Sequence, residues 1–365
     1  MKRLLVIVSS MNKGGAETFL MKIYRNFNRE QYQMDFCIMS EKISAYEEEI
    51  KNLGAKVYHI TEKTVSLTKC MRQIKNIVKE NQYKHVLRVN QHSLSVLDLL
   101  AAKSGGAKVL AMRSSNADSG SGISRILHKM FIFLPKVVPN VRFAPSTEAA
   151  EYTFGKNCIK NGKACLLHNA VDINEYKYSE AKRKKIRNEF DLGNKFVVGH
   201  IGRFNHQKNH MFLLEIFAEY LKINPNSVLM LVGTGNLKDN ILDKADLLGI
   251  RDKIILTGVR GDVPALLSAM DIQVFPSFYE GMPNTIIEAQ CASLPCIISD
   301  TITKEADITG LVKYMSLDMS ASEWAKEIEI KHEQNFARTD MSDCFIKNKY
   351  DIDSVTKEFE KLIFA

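Results

Sequence analysis

The chain alternates short apolar runs with longer amphipathic stretches along almost its whole length, and this alternation limits its fold more than any other feature. The apolar runs are continuous, which is typical of strands buried on both faces of a parallel sheet. The amphipathic stretches between them predict helices that cover the sheet. The predicted strands are 4–8, 35–39, 56–60, 86–89, 108–112, 141–144 and 164–167 in the first half, and 196–201, 228–232, 254–256, 272–275 and 296–298 in the second.

The alternation occurs twice, which predicts two α/β domains of the Rossmann type in this chain of 365 residues. We expect a first domain over residues 1–175 and a second over residues 196–349. Residues 176–195 contain no predicted strand and carry the basic run Lys-Arg-Lys-Lys, so we expect them to form an exposed helical linker. The segment 350–365 is amphipathic, and we expect it to pack back on the first domain.

Composition narrows the class of protein. The seven cysteines form no C-x-x-C pair, which argues against a zinc site, and their odd number fits reduced thiols in the cytoplasm better than disulfides. The apolar start is too short for a signal peptide, and no apolar run is long enough to span a bilayer. The net charge of +8 suits phosphates, nucleic acid or an anionic membrane and selects none of them.

Each half opens with a strand that runs into glycine. The first is followed by Gly-Gly-Ala-Glu at 14–17, and the second by Gly202-Arg203, with Lys208 shortly after. Glycine lets a ligand approach the backbone, and arginine and lysine suit phosphate oxygens. A tight turn without a ligand and unrelated surface cations are the alternatives. Neither loop is G-x-G-x-x-G or a Walker motif, which argues against a dinucleotide or P-loop site.

The stretch FYEGMPNTIIE at 278–288 predicts a turn from a strand into a helix, whose first N–H groups can bind an anion. Glu288 fits a capping box with Thr285, or alternatively can accept hydrogen bonds from ribose hydroxyls. Glu280 lies before the helix, where capping does not explain it, and a carboxylate there can bind sugar hydroxyls. With Arg203 and Lys208, this turn predicts a diphosphate site flanked by carboxylates, as a sugar nucleotide requires.

These motifs, in this order, resemble the C-terminal domain of family 4 glycosyltransferases. The second half contributes Gly202-Arg203, Lys208-Asn209, Gly233-Thr-Gly235, Asp262-Val-Pro264, Asp271, Pro276-Ser277 and Glu280-Gly-Met-Pro with Glu288-Ala. The loop 14–17, Ser146 with Glu148, and Asn169-Ala-Val-Asp172 resemble the first domain of the family. Bacterial capsule and exopolysaccharide glycosyltransferases are the most similar type.

The resemblance implies a GT-B fold, with two facing Rossmann-like domains and an interdomain cleft. It implies a retaining, metal-independent enzyme without a cofactor that moves a sugar from a nucleotide sugar, expected to be a UDP-sugar, to a glycan. The acceptor is expected to be lipid-linked, in cell-surface polysaccharide synthesis. The implied catalytic residues are Glu280, Arg203 and Lys208; the implied donor-binding residues are Gly15, Gly202, Val259, Arg260, Met282, Pro283, Asn284, Thr285 and Glu288; and the implied acceptor-side residues are Gly14, Glu17, Arg113 and Asn116.

One position departs from the family. Many relatives carry a histidine where this chain has Arg113, and arginine cannot act as a base. A base in the first domain is therefore in doubt, whereas a front-face displacement assisted by the leaving phosphate needs none. The nearby His92 is a candidate replacement, with a structural role as the alternative.

Residues 123–139 interleave apolar residues with Arg125, His128, Lys129 and Lys136. This pattern predicts either an amphipathic helix on an anionic membrane, at the inner face of the cell membrane, or a core helix with a basic rim.

Three other functions remain open for the whole chain. A nucleotide-sugar epimerase would use the same diphosphate pocket, and a degenerate relative would bind nucleotide sugar or glycan without turnover. A nucleic-acid-binding role has no recognisable module behind it.

Overall fold

The computed structural model describes residues 1–12, 14–90, 92–115 and 122–365. These residues form two compact units, one of Met1–Ala170 with Ile352–Ala365 and the other of Val171–Asp351. Each unit contains one parallel sheet, so the prediction of two Rossmann-like domains is confirmed. Elements are numbered below in chain order.

The first unit is built on strands β1 Lys2–Val8, β2 Tyr32–Ile38, β3 Val57–His59, β4 His85–Val89, β5 Val109–Arg113, β6 Val141–Ala144 and β7 Cys165–Leu166. Among its described residues they pair in parallel in the order β3-β2-β1-β4-β5-β6-β7. The order reverses between β1 and β4. Parallel sheets open a ligand-binding crevice at the carboxyl ends of the strands where such a reversal occurs.

Helices cover both faces of this sheet. They are α1 Gly15–Asn26, α2 Glu47–Asn52, α3 Leu67–Glu80, α4 Val96–Ser104, α5 Ile123–Met130, α6 Leu134–Val137, α7 Thr147–Phe154 and the C-terminal α16 Ile352–Phe364. Alternate residues of β1 enter opposite cores, Leu4 and Val6 on one side, Leu5 and Ile7 on the other. Burial of both faces of a strand favours apolar side chains at successive positions, which explains the continuous run in the sequence.

The C-terminal helix α16 packs on the first unit, beside α1. Its Phe359 and Phe364 lie in the same core as the α1 residues, and the Phe364 ring stacks on Tyr32 with centroids 4.3 Å apart. Lys2 donates from Nζ to the Phe364 carbonyl oxygen at 2.6 Å. Burial of these aromatic rings ties the last segment of the chain to its first strands.

The second unit is built on strands β8 Phe196–Ile201, β9 Ser227–Val232, β10 Ile254–Gly258, β11 Ile272–Phe275, β12 Cys296–Ser299 and β13 Val312–Met315. In its described residues they pair in parallel in the order β10-β9-β8-β11-β12-β13, with the reversal between β8 and β11. The helices are α8 Ile173–Tyr176, α9 Glu180–Glu189, α10 His210–Ile223, α11 Lys238–Leu247, α12 Val263–Ala269, α13 Asn284–Cys291, α14 Ala321–Glu333 and α15 Ser342–Lys347.

The stretch predicted as a linker, 176–195, lies wholly in the second unit and contains α9. Arg183 and Arg187 of this helix reach the carbonyl oxygens that end α12 and pair with Asp271, at 2.7 and 3.3 Å. Cations at the C-terminal end of a helix satisfy its last carbonyl groups. Part of the basic run is therefore structural rather than a solvated face.

The edge strand β13 was not predicted. It is short, includes an exposed lysine and is only partly buried, so it lacks the continuous apolar run of an inner strand. Within the described ranges, none of the helices combines the length and apolarity needed to cross a membrane.

Candidate functional site

The loops that follow β8 and β11 lie next to each other at the reversal of strand order in the second sheet. Gln207 joins them, because its carbonyl accepts from Phe278 N and its side chain donates to the Tyr279 carbonyl, both at 2.9 Å. The His206 ring also stacks on Phe278, with centroids 4.8 Å apart. The sequence did not single out Gln207, and its role depends on a contact across 72 residues.

Glycines allow a third loop, which follows β9, to approach the Gly202-Arg203 turn. A side-chain carbon on Gly233 would lie 2.1 Å from the Gly202 carbonyl oxygen, and one on Gly235 would lie 2.2 Å from the Phe204 carbonyl oxygen. Gly233 also has φ +138°, which favours glycine. The predicted glycines of this loop are thus required for packing directly behind Arg203.

The two predicted cations differ in their environment. The Arg203 side chain is exposed and has no hydrogen-bond or ion-pair partner in the described part of the chain. Lys208 Nζ lies 2.7 Å from Glu280 Oε1 and 4.4 Å from the centre of the Phe275 ring. The structure therefore pairs two of the three residues assigned to catalysis, Lys208 and Glu280, and the Lys208 side chain also lies against Gly202, the neighbour of Arg203 in sequence.

Two buried histidines, His200 and His210, lie near Lys208. The rings of His200 and His210 lie 4.7 Å apart, and burial lowers the pKa of His200 well below its usual value and that of His210 to about 4. Both rings are neutral at pH 7, so the positive charge of this region comes from Arg203 and Lys208.

The predicted capping box at Thr285 is wrong. Helix α13 begins at Asn284 after Pro283, no side chain caps it, and Thr285 already lies in its first turn. The first N–H groups of a helix have no acceptor within the helix, so this end suits an anion. Met282 packs partly buried against the core beside this turn.

Capping therefore does not explain the position of Glu288, and its contacts have to be considered. Its side chain is 8% exposed, and the hydroxyl group of Tyr176 hydrogen-bonds to its carboxylate. Burial and the Glu288 carboxylate together raise the pKa of Tyr176. The sequence did not single out Tyr176. A local signal was present, because Asp172 is a typical helix cap, and the short helix α8 that it caps ends at Tyr176.

The loop after β10 carries Val259 and Arg260. The Val259 side chain is 70% exposed. Arg260 pairs with Asp262 at 2.8 Å and with Glu189 at 2.7 Å, and these two carboxylates raise its pKa. The guanidinium group is thus used to hold α9 to the loop, which leaves the backbone and Val259 as the groups that can contact a base.

In the first unit, Gly14 precedes α1 and Gly15 is its first residue. The Glu17 carboxylate folds over Gly14, where a side-chain carbon would lie 2.4 Å from Oε2, and burial raises the pKa of Glu17. Ala16 and Glu17 line a cavity of about 130 Å³ with Asn90 at the carboxyl ends of β1 and β4.

Arg113 is 1% exposed, so it packs inside the unit rather than lining an open surface. It donates to Asn169 Oδ1 at 2.6 Å and lies 3.9 Å from the centre of the Phe19 ring. Burial lowers its pKa to about 9. Asn116, the remaining acceptor-side residue, lies outside the described residues.

His92 is held by the backbone on both sides of its ring. Nδ1 accepts from Leu94 N at 3.2 Å, and Nε2 is 3.0 Å from the Ser124 carbonyl oxygen. This arrangement is structural, so His92 is no replacement for the missing histidine. No three His, Cys, Asp or Glu side chains of the described ranges lie close enough together to hold a metal ion.

Comparison with known proteins identifies the class. The sequence profile of the family described as glycosyl transferases group 1 matches residues 195–330, which include every site residue that the sequence predicted in the second unit. The putative glycosyltransferase EpsF of Bacillus subtilis (strain 168) is 30% identical over 334 residues, covering 90% of this chain and 87% of that protein. The chain therefore belongs to the group 1 glycosyltransferases, and the resemblance to family 4 is confirmed.

Other relatives match the whole chain or a part of it. The capsular polysaccharide biosynthesis glycosyltransferase CapH of Staphylococcus aureus is 24% identical over 388 residues, covering 100% of this chain and 99% of CapH. The UDP-Gal:alpha-D-GlcNAc-diphosphoundecaprenol alpha-1,3-galactosyltransferase of Escherichia coli is 37% identical over 145 residues, 38% of this chain and 37% of that enzyme.

Among solved structures, Anabaena Alr3699/HepE in complex with UDP has a TM-score of 0.80, with 20% identity and 99% of both chains covered. This likeness shows that the two Rossmann-like units follow the GT-B fold class.

Proposed function

We propose that this glycosyltransferase retains the anomeric configuration and transfers a sugar from a nucleotide sugar, a UDP-sugar, to a lipid-linked glycan acceptor in cell-surface polysaccharide synthesis, without a metal ion. The observation that carries the proposal is the group formed by Arg203, Lys208 and Glu280 at the reversal of strand order, beside the N-terminus of α13.

Departure of the diphosphate builds negative charge at this group. Arg203 offers a free guanidinium fork, Lys208 a mobile point charge, and α13 its first N–H groups. Donors that are positioned before the reaction stabilise such charge strongly, and loss of one costs about 10²–10³ in rate. These cations support chemistry in which the protein alone neutralises the leaving group.

The two glutamates have separate tasks in this proposal. Glu280 binds hydroxyl groups of the donor sugar, since it lies beside Lys208 on the strand side of the turn. Glu288 binds the ribose hydroxyls, and Tyr176 holds its carboxylate in place. The exposed Val259 and the backbone around it contact the base.

Retention follows from a displacement on one face of the sugar. The bond from the anomeric carbon to the diphosphate oxygen breaks, the acceptor oxygen bonds to that carbon from the same face, and the acceptor proton passes to the departing phosphate oxygen. The structural roles of Arg113 and His92 support this route, because neither residue is placed to take that proton.

The choice of donor and acceptor follows the relatives. The related E. coli enzyme is named for UDP-Gal and a diphosphoundecaprenol acceptor, and the Anabaena neighbour was solved with UDP. CapH is named for capsular polysaccharide biosynthesis.

An anionic bilayer suits the exposed face of α5 and α6. Ile126, Met130, Phe133 and Val137 are 54–73% exposed and lie among Arg125, Lys129 and Lys136. Apolar residues that insert between lipids, flanked by cations, fit an anionic membrane surface and a lipid-linked acceptor.

Flotation with phosphatidylglycerol vesicles tests this contact. The wild type should float with the vesicles, and the double variant Phe133→Ser/Val137→Ser should stay in the unbound fraction. The control Val65→Ser, at another exposed valine, should float like the wild type. Equal flotation of all three proteins would contradict membrane contact through this face.

The test of the proposed function is calorimetric titration with UDP, GDP and ADP, with and without a chelator. We expect selective UDP binding that the chelator does not change, that Arg203→Ala abolishes, and that Arg251→Ala, at an exposed arginine elsewhere in the unit, retains. Absence of nucleotide binding would overturn the proposal. Conversion of a UDP-sugar in the absence of any acceptor would instead indicate an epimerase.

A further inference from the structure

A second cavity, of about 310 Å³, opens in the first unit at the carboxyl ends of β1, β2 and β4. Ser9, Met39 and Asn90 line it where these strands end, and Lys63 and Arg88 also line it. Ser9 and Asn90 also line the smaller cavity that contains Glu17. The two cavities therefore share a wall at the reversal of strand order in the first sheet, where parallel sheets bind ligands.

The wall of this cavity contains a group of three charges, of which two are buried and the third, Lys63, keeps 25% of its side chain exposed. Arg88 is 2% exposed and Asp98 is fully buried. Arg88 Nε lies 2.7 Å from Asp98 Oδ2, and Lys63 Nζ lies 2.7 Å from Asp98 Oδ1. Two cations thus share one carboxylate.

Neither cation is saturated by these contacts. Arg88 Nη1 donates to the Ile7 and Val89 carbonyl oxygens, but Nη2 makes no hydrogen bond within the described ranges. Lys63 has three N–H donors, and its ion pair with Asp98 uses none of them in a well-aligned hydrogen bond, because Asp98 Oδ1 accepts none from the described residues. The other carboxylate at the cavity, Glu62, is exposed and accepts from Thr64, so solvent screens it.

An excess positive charge in a buried group is unfavourable unless an anion compensates it. Burial lowers the pKa of Lys63, although the Asp98 carboxylate acts in the opposite direction, as expected for an ammonium group short of compensation. A cavity beside such a group provides the space in which a compensating anion can bind.

We propose that this cavity binds one anionic oxygen group of the acceptor, a phosphate or a carboxylate, through Lys63 and Arg88. The proposal rests on the proposed function, because it defines the chemical class of the acceptor. The adjacent Glu17 cavity then receives neutral hydroxyl groups, since its carboxylate would repel an anion.

Calorimetric titration with inorganic pyrophosphate and with glucuronate, in the presence of saturating UDP to occupy the donor site, tests the proposal. We expect Lys63→Gln to weaken binding of the preferred anion by about tenfold to hundredfold, as for loss of a charged hydrogen bond. Lys63→Arg, which keeps the positive charge, should retain much of the wild-type affinity for the anion. Lys69→Gln, at an exposed lysine of α3, is the matched control and should bind like the wild type.

Preference for pyrophosphate would indicate a lipid diphosphate as the source of the anion, and preference for glucuronate an acidic sugar. Failure of the wild type to bind either anion, or equal binding by Lys63→Gln, overturns the inference. UDP binding by Lys63→Gln should match the wild type. If the wild type itself does not bind UDP, the proposed function fails, and hydrogen exchange at residues 92–98 on addition of pyrophosphate decides this inference separately.

Discussion

Lys208 and Glu280 form an ion pair, with Nζ 2.7 Å from Oε1, across 72 residues of sequence. Both side chains are largely buried, so the pair is more than a screened surface contact. In the absence of substrate each group neutralises the other. Under the proposed function, a diphosphate that binds Lys208 would release Glu280 for the donor sugar, so that the two halves of the donor would be recognised together.

Glu280→Ala should lower the transfer rate by about 10²-fold or more, as expected for loss of one transition-state contact. Its affinity for UDP should stay equal or increase, because Lys208 is then free to bind the phosphates. Steady-state kinetics and UDP titration check both parts. A loss of UDP binding in Glu280→Ala that Glu288→Ala does not show would contradict the division of roles between the two glutamates.

Tyr176→Phe should weaken UDP binding by about threefold to tenfold and raise KM with little change in kcat, because the Glu288 carboxylate loses the hydroxyl that holds it. Tyr178→Phe is the control, since that hydroxyl bonds to the exposed Glu180. In the Glu288→Ala background the Tyr176 substitution should have no further effect on affinity. An equal loss in that background would show that the Tyr176 hydroxyl acts independently of Glu288.

Gly235→Ala should lower both the melting temperature and the UDP affinity. A methyl group there would lie 2.2 Å from the Phe204 carbonyl oxygen, so the turn that carries Arg203 has to move. Such overpacking costs about 1–3 kcal/mol. Gly261→Ala provides the comparison, because nothing lies within 4 Å of its added carbon. Calorimetry of the two variants should separate them, and equal melting temperatures would refute the packing argument.

His59 should stabilise the first unit at low pH. Its ring contacts the Ser40 carbonyl oxygen at 2.6 Å and Glu47 Oε1 at 3.1 Å, and both interactions raise its pKa. A raised pKa contributes stability that is complete below the ordinary value of 6.5 and is lost as pH rises through the folded-state pKa. The melting temperature of His59→Gln should therefore fall further below the wild type at pH 5.5 than at pH 8.5.

In the Glu47→Gln background this pH dependence should be smaller, because one of the two interactions is absent. A difference between wild type and His59→Gln that grows with pH would mean that the ring is bound in its neutral form.

The amino-acid sequence by itself determined the class of fold, the order of the elements and the residue types of the donor site. Apolar runs such as 4–8 and 228–232 are dictated by burial on both faces of a sheet, which is a local requirement that every residue of these runs meets. The edge strand β13 was not predicted, because an edge strand does not have to be apolar at each residue.

Only the tertiary structure decided how the site residues are paired. The contacts of Lys208 with Glu280, of Tyr176 with Glu288 and of Arg113 with Asn169 join residues far apart in sequence. Whether a charged side chain is exposed like Arg203 or buried like Arg113 depends on the packing around it. Local periodicity carries no information about such packing, because it arises when distant segments fold against one another.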